Sequence, residues 1–190
     1  MNLAPYLEVF RSPRVAAVLF LGFASGLPLA LSSGTLQAWI EGGMVEGDRQ
    51  RKKIAPPDST VWNRQVQIMR VFDNLIYNTD RNMGNIVIDR NWKLWMIDHT
   101  RAFRRFPSLQ KTVTLNQCER GMYQRLKTLD EAVVRERLKP YLSSYEMDAL
   151  LKRRALIVER LDEVIAERGE AKVLYTYTVA AAPVQPGNPE

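Results

Sequence analysis

The stretch Phe72-Asp73-Asn74-Leu75-Ile76-Tyr77-Asn78-Thr79-Asp80-Arg81-Asn82-Met83-Gly84-Asn85, followed by Met96-Ile97-Asp98-His99-Thr100-Arg101, decides how this chain is read. Upstream, Trp62, Val66, Met69, Phe72 and Ile76 recur at three- and four-residue steps, the spacing of one buried helical stripe. Asp58 or Ser59 supplies an N-cap, so a helix is expected from there to about Tyr77. The polar run 78–85 then reads as a loop. Two short strand candidates follow, Asn85–Asp89 and Lys93–Ile97, joined through the turn-like Arg90-Asn91-Trp92. Helix, polar loop, hairpin and a second acidic loop thus come in sequence.

That order has chemical meaning. Asp80, then Asn85, then Asp98 present a carboxylate, an amide and a second carboxylate from a loop, a strand start and a loop. Phosphoryl transfer uses such a set. One carboxylate accepts or orients the hydroxyl proton, while an amide oxygen and another carboxylate hold Mg²⁺ against nucleotide phosphates. The Asp80-to-Asn85 offset equals that of the kinase catalytic loop, and Asp98 lies where the metal-binding Asp is expected. A calcium loop starting at Asn78 fits poorly, since Met83 stands in place of the required glycine and Asp89 in place of the closing glutamate. An ordinary turn built from Asn, Asp and Gly is the plain alternative.

Residues 72–104 resemble the catalytic core of atypical kinases of the HipA-like and phosphatidylinositol-kinase-like families, with residues about 58–178 as the lobe. The resemblance implies an α+β fold: a mainly helical kinase-like C-terminal lobe with a short β-hairpin, preceded here by one hydrophobic membrane-type helix. It implies Asp80 as catalytic base or substrate orienter, with Asn85 and Asp98 as nucleotide- and Mg²⁺-binding residues. ATP and Mg²⁺ are the implied cofactors, and a hydroxyl-bearing molecule of undefined class the acceptor. Asn82 stands where these families often carry His, and Asp98-His99-Thr100 replaces Asp-Phe-Gly. A working kinase also has a glycine-rich cover and a strand lysine ahead of this helix. Lys52 and Lys53 fall in a linker instead, so the lobe is expected to be incomplete, with another chain as the source open for an N-lobe.

The first forty residues have another character. From Val15 to Ile40 there is no charged residue; Arg11 and Arg14 precede the run and Trp39 lies near its end. About 20 helical residues cross a bilayer core, so residues 1–43 read as a transmembrane or signal-like segment, with a buried soluble helix as the remaining alternative. Leu7-Glu8-Val9-Phe10-Arg11-Ser12-Pro13-Arg14, then Leu21-Gly22-Phe23-Ala24-Ser25-Gly26-Leu27-Pro28 and Gly34-Thr35-Leu36-Gln37-Ala38-Trp39, resemble the start of AmpG-type muropeptide permeases of the major facilitator superfamily. No second apolar run of that length follows, which excludes transport by this chain and leaves a membrane location. Flank charge favours a cytoplasmic lobe, while the permease resemblance implies the opposite side.

Residues 44–57 read as a basic Pro/Gly linker, whose Arg49, Arg51, Lys52 and Lys53 form a solvated cluster or touch anionic lipid. Helices are expected over Asn116–Leu126 and Asp130–Leu138. A longer one opens with a Ser143/Glu146 capping box and closes at Gly169. Val173–Val179 is a weak strand candidate and 179–190 a disordered tail. Cys118, the single cysteine, excludes an internal disulfide framework, and as part of a helix it is expected to be inert. The single histidine, His99, excludes multi-His metal centres and reads as a packing or hydrogen-bonding residue. Arg101, Arg104 and Arg105 face either phosphate or solvent. With 27 Lys+Arg against 21 Asp+Glu the net charge is +6, which suits an anionic partner; no recognised motif or stacking platform points to nucleic acid as that partner. Two function classes remain: an ATP/Mg-dependent phosphotransferase lobe, or a non-catalytic membrane-anchored pseudokinase, interaction domain or chimeric fragment.

Overall fold

Asp58 starts the central helix by accepting hydrogen bonds from the Thr60 and Val61 N–H groups at 2.8 and 3.0 Å. In the computed structural model, which describes residues 43–111 and 114–177, that helix (α2) runs Ser59–Ile76. It stops because Tyr77 takes a left-handed conformation (φ 52°), and the Tyr77 and Asn78 N–H groups turn back onto the Asn74 and Asp73 carbonyls. The apolar run Val15–Ile40 and the tail beyond residue 177 lie outside the described residues. No helix among the described residues is long and apolar enough to cross a membrane.

The expected hairpin forms between β2 (Ile86–Ile88) and β3 (Leu94–Met96), antiparallel with Ile86 opposite Met96 and Ile88 opposite Leu94. Its turn is organised by Asp89, whose carboxylate accepts from Asn91 and Lys93 N–H at 2.8 and 3.0 Å. Gln65 of α2 fastens the same end, accepting from Leu94 N–H at 2.8 Å and donating to the Trp92 carbonyl at 2.9 Å.

The stretch read as a linker is folded. Met44–Val45 form a strand (β1) antiparallel to β2, making a three-stranded sheet in the order β1-β2-β3. Glu46–Arg51 follow as a short helix (α1) against the 3₁₀ turn Met83–Asn85 and β2. The missed signal is one ion pair. Glu46 is buried, and Arg49 grips both its oxygens at 2.6 and 2.7 Å while donating to the Ile54 carbonyl and lying 5.1 Å over the Trp62 ring. Burial pushes the Glu46 carboxyl upward, but the Arg49 and Gln50 hydrogen bonds prevail and hold it below its ordinary value. Arg49 is therefore no part of a solvated basic cluster. Folded structure thus reaches back at least to Met44, before the expected boundary at 58.

Past the loop, Cys118–Glu119 form a strand (β4) pairing in parallel with Leu174–Tyr175 (β5), so Cys118 belongs to a strand, contrary to the helix expected over Asn116–Leu126. The helix (α3, Arg120–Lys127) starts late because Glu119 caps it, accepting from Gly121 and Met122 N–H. The Cys118 thiol is fully buried, which drives its pKa up to about 12. Asp130 caps α4 (Glu131–Leu138), and the Ser143/Glu146 capping box opens α5 (Ser144–Arg168). Gly169, at φ 85°, ends α5 in a conformation that side chains rarely adopt, before a short α6 (Glu170–Val173) leads to β5. The core lies between α2 and α5, where Phe72, Ile76, Leu150, Ile157, Leu161 and Val164 are buried in one cluster.

Removing the cation beside Glu46 tests the corrected boundary. Arg49→Ala should cost about 3 kcal/mol by leaving a buried carboxylate without its partner. Glu46→Ala/Arg49→Ala together should cost less than the single change, measured by urea unfolding. Equal, near-zero costs would return this segment to a linker.

Candidate functional site

The loop after α2 is held by one guanidinium. Arg81 folds back so that Nε and one terminal nitrogen donate to the two Asp73 oxygens at 2.9 and 3.0 Å. The other terminal nitrogen donates to the Asn85 carbonyl at 2.8 Å and the Ile97 carbonyl at 2.6 Å. A last N–H meets His99 Nε2 at 3.0 Å. All five donors of the fork are used. One residue thus ties the end of α2, the start of β2, the chain leaving β3 and the segment after Asp98 together.

Both partners in that pair are nearly sealed, with 8% and 7% of the Arg81 and Asp73 side chains exposed. Burial pushes the Asp73 carboxyl up, and the Arg81 charge and its hydrogen bonds pull against it. His99 is also buried, and burial together with the Arg81 charge drives its pKa down to about 3. A neutral ring whose Nε2 accepts from Arg81 carries its proton on Nδ1. His99 also packs edge-on to Phe72, 6.1 Å between ring centres.

On this frame sit the three residues picked from the sequence. The Asp80 N–H is held by the Asn78 side chain at 3.1 Å, and its carboxylate is partly exposed, 3.5 Å from Arg101 Nε. Asn85 is buried and donates its amide N–H to the Asp80 carbonyl at 2.8 Å, which leaves its amide oxygen outside that bond. Asn82 accepts from Gly84 N–H at 2.8 Å; a Cβ on Gly84 would come within 3.1 Å of that oxygen, so the turn favours glycine. Asp98 leaves the hairpin at the end where Asn85 enters it, since Ile97 N–H donates to the Asn85 carbonyl at 3.1 Å. It is left-handed (φ 56°), which Asp tolerates better than most residues. Thr100 donates its hydroxyl at 2.7 Å and its N–H at 3.1 Å to one Asp98 oxygen, and chiefly that hydroxyl holds the carboxyl below its ordinary value. The second Asp98 oxygen accepts no hydrogen bond among the described residues.

The donor chemistry suits a hard cation. A carboxylate, from Asp98, and an amide oxygen, from Asn85, are magnesium-type ligands, whose shell water and phosphate would complete. No group of three or more His, Cys, Asp or Glu side chains gathers as a metal cluster among the described residues, so Asn85 is needed in any such set.

The segment after Asp98 wraps the end of α2. Ala102 and Phe103 are buried, with Phe103 N–H donating to the Ile76 carbonyl. Gln110 donates to the Asp73 and Asn78 carbonyls, both at 3.0 Å. From α5, Arg153 reaches beneath, donating to the Leu75 carbonyl at 2.9 Å and to the Arg104 and Phe106 carbonyls. Arg153 is 0% exposed and stacks over Tyr77; burial drives its pKa down to about 10. Arg81, Asp73, Gln110 and Arg153 went unassigned in the sequence because their partners lie at no helical or strand spacing.

No family model matches the chain. A 35-residue N-terminal stretch, 18% of the chain, is 71% identical to the anhydromuropeptide permease of Escherichia coli strain K12, and equally to that of strain O157:H7. The match covers 7% of each permease, so it likens the first segment of this chain, and no other part, to a membrane protein.

Two outcomes follow from the Arg81 frame. Arg81→Lys keeps the charge but cannot serve five acceptors, and should cost about 3 kcal/mol in denaturant unfolding. An unfolded His takes a proton near pH 6.5, the folded His99 only near 3. Between those values the unfolded state holds more protons. Stability therefore falls as acid is added, by up to about 1.4 kcal/mol per pH unit from this group. His99→Gln, whose amide oxygen can take the Arg81 bond, should flatten the slope between about pH 6.5 and 5, above the carboxylate range. An unchanged slope would rule out a buried neutral His99.

Proposed function

We propose that residues 43–177 are the catalytic-loop half of an ATP- and Mg²⁺-dependent phosphotransferase, tethered to a membrane by the permease-like segment. The carrying observation is the Asp80-Arg81-x-x-x-Asn85 loop, locked through Arg81 to the hairpin end from which Asp98 emerges. Asp80, partly open to solvent, accepts or orients the proton of the attacking hydroxyl. Asn85, through its amide oxygen, and Asp98, through the carboxylate oxygen that Thr100 leaves open, would hold the Mg²⁺ of a bound nucleotide. The bound ion supplies neutralisation of charge developing on the transferred group. Arg81 orients, since it fixes the backbone on both sides of the metal-binding pair. His99 stays neutral and takes no part in proton transfer.

A glycine-rich phosphate cover is missing from the described residues ahead of α2, where β1 and α1 stand instead. That favours, as a second reading, a non-catalytic lobe, or one completed by a cover from another chain.

Calorimetric titration of the full chain with Mg-ATP separates these. The catalytic-loop reading requires binding that Asp98→Ala and Asn85→Ala each weaken by about 10- to 100-fold, the worth of one charge-assisted contact. Binding indifferent to both changes, or none by folded protein, sinks the nucleotide site and leaves the non-catalytic reading.

A further inference from the structure

Among the exposed cations, Arg101 stands apart because of its neighbour and its foundation. Its Nε lies 3.5 Å from Asp80 Oδ2, with 62% of the Arg101 and 29% of the Asp80 side chain exposed. An ion pair that open to water is weakly held. Among the described residues the terminal nitrogens of Arg101 make no hydrogen bond, so most of its donors remain available. Loops usually place such a side chain loosely, but this one does not. Ala102 N–H is bonded to the His99 carbonyl at 3.0 Å, Phe103 to the end of α2, and Arg104 and Phe106 to the buried Arg153. The Arg104 side chain adds a 3.3 Å contact to the Arg101 carbonyl. An exposed head thus stands on a fixed base, beside the carboxylate assigned to the reacting hydroxyl.

We propose that Arg101 is an oxyanion-binding residue: it releases Asp80 and takes phosphoryl oxygens when an anion enters the site. The fork matches two phosphoryl oxygens at once, a stronger arrangement than the long, solvent-open ion pair it gives up. Departure of Arg101 also uncovers Asp80 for the hydroxyl. The anion has two possible sources, the terminal phosphoryl of the nucleotide or an anionic group on the acceptor. The inference rests on the phosphotransferase reading for its catalytic meaning, although anion binding by Arg101 can be measured without it.

The test uses the full chain with inorganic phosphate, Mg-ATP and Mg-ADP as probes. Phosphate binding is followed by the shift of the Arg101 side-chain Nε resonance and by calorimetry. Arg101→Gln is compared with Arg105→Gln, which removes the same charge from a side chain stacked on Tyr145, 5.7 Å from its ring. Both positions are exposed, and unchanged melting temperatures establish that the variants fold. The expected result is at least about tenfold weaker phosphate binding in Arg101→Gln, with Arg105→Gln within about twofold of wild type. Arg101→Lys should recover part of the loss. Weakened Mg-ATP with unchanged Mg-ADP binding would assign the anion to the nucleotide's terminal phosphoryl. Unchanged binding of both, with phosphate binding lost, would assign it to the acceptor. Equal losses in both Gln variants, or no phosphate binding by wild type, overturns the proposal. Phosphate binding that depends on Arg101 while wild type ignores both nucleotides upholds this anion site and refutes the kinase reading.

Discussion

A guanidinium with every N–H engaged is a geometric constraint on all that it touches. Arg81 meets that condition from the loop between α2 and β2, and its acceptors belong to a helix end, a strand start, a strand exit and an imidazole. Its charge is balanced by one buried carboxylate, Asp73. Breaking such a pair from one side strands a charge in a poorly solvated place, so the arrangement tolerates little drift. The loop keeps its shape because the alternatives leave buried polar groups unsatisfied.

Arg153 works on the same face of the fold by different means. Among the described residues it has no carboxylate beside it, only three backbone carbonyls and the Tyr77 ring, and one of its terminal nitrogens lacks a partner. A buried cation held by dipoles alone is costly. Here it joins the end of α2 to the segment carrying Arg101, which explains how an exposed arginine comes to have a defined origin. Together the two arginines fix the backbone on either side of Asp98.

Legibility in the sequence tracked the range of the interaction. The helix from Asp58 to Tyr77, the hairpin and the capped helix opening at Ser143 rest on periodicity and on caps within three residues, and all stand close to the expected bounds. Asp80, Asn85 and Asp98 could be picked because their spacing is itself local. The folded state of residues 44–51 could not, since the stretch 44–57, with Gly47, two prolines and four basic residues, imitates a linker until Glu46 and Trp62 are seen to claim Arg49. Cys118 was misplaced because its strand partner, Leu174, lies far along the chain. Arg81 was visible as a letter of the motif, but its bonds reach back eight residues and forward eighteen, a pattern without a period.

The burial of Cys118 has a practical side. It is the only sulfhydryl in the chain, and it sits at the seam where β4 meets β5, joining the start of α3 to the strand after α6. A thiol driven to such weak acidity gives almost no thiolate at neutral pH, and full burial bars reagents from reaching it. Alkylation must therefore wait for that seam to part. Under conditions where reclosing outruns the reagent, its rate measures the free energy of opening there, on wild-type protein and without an added probe.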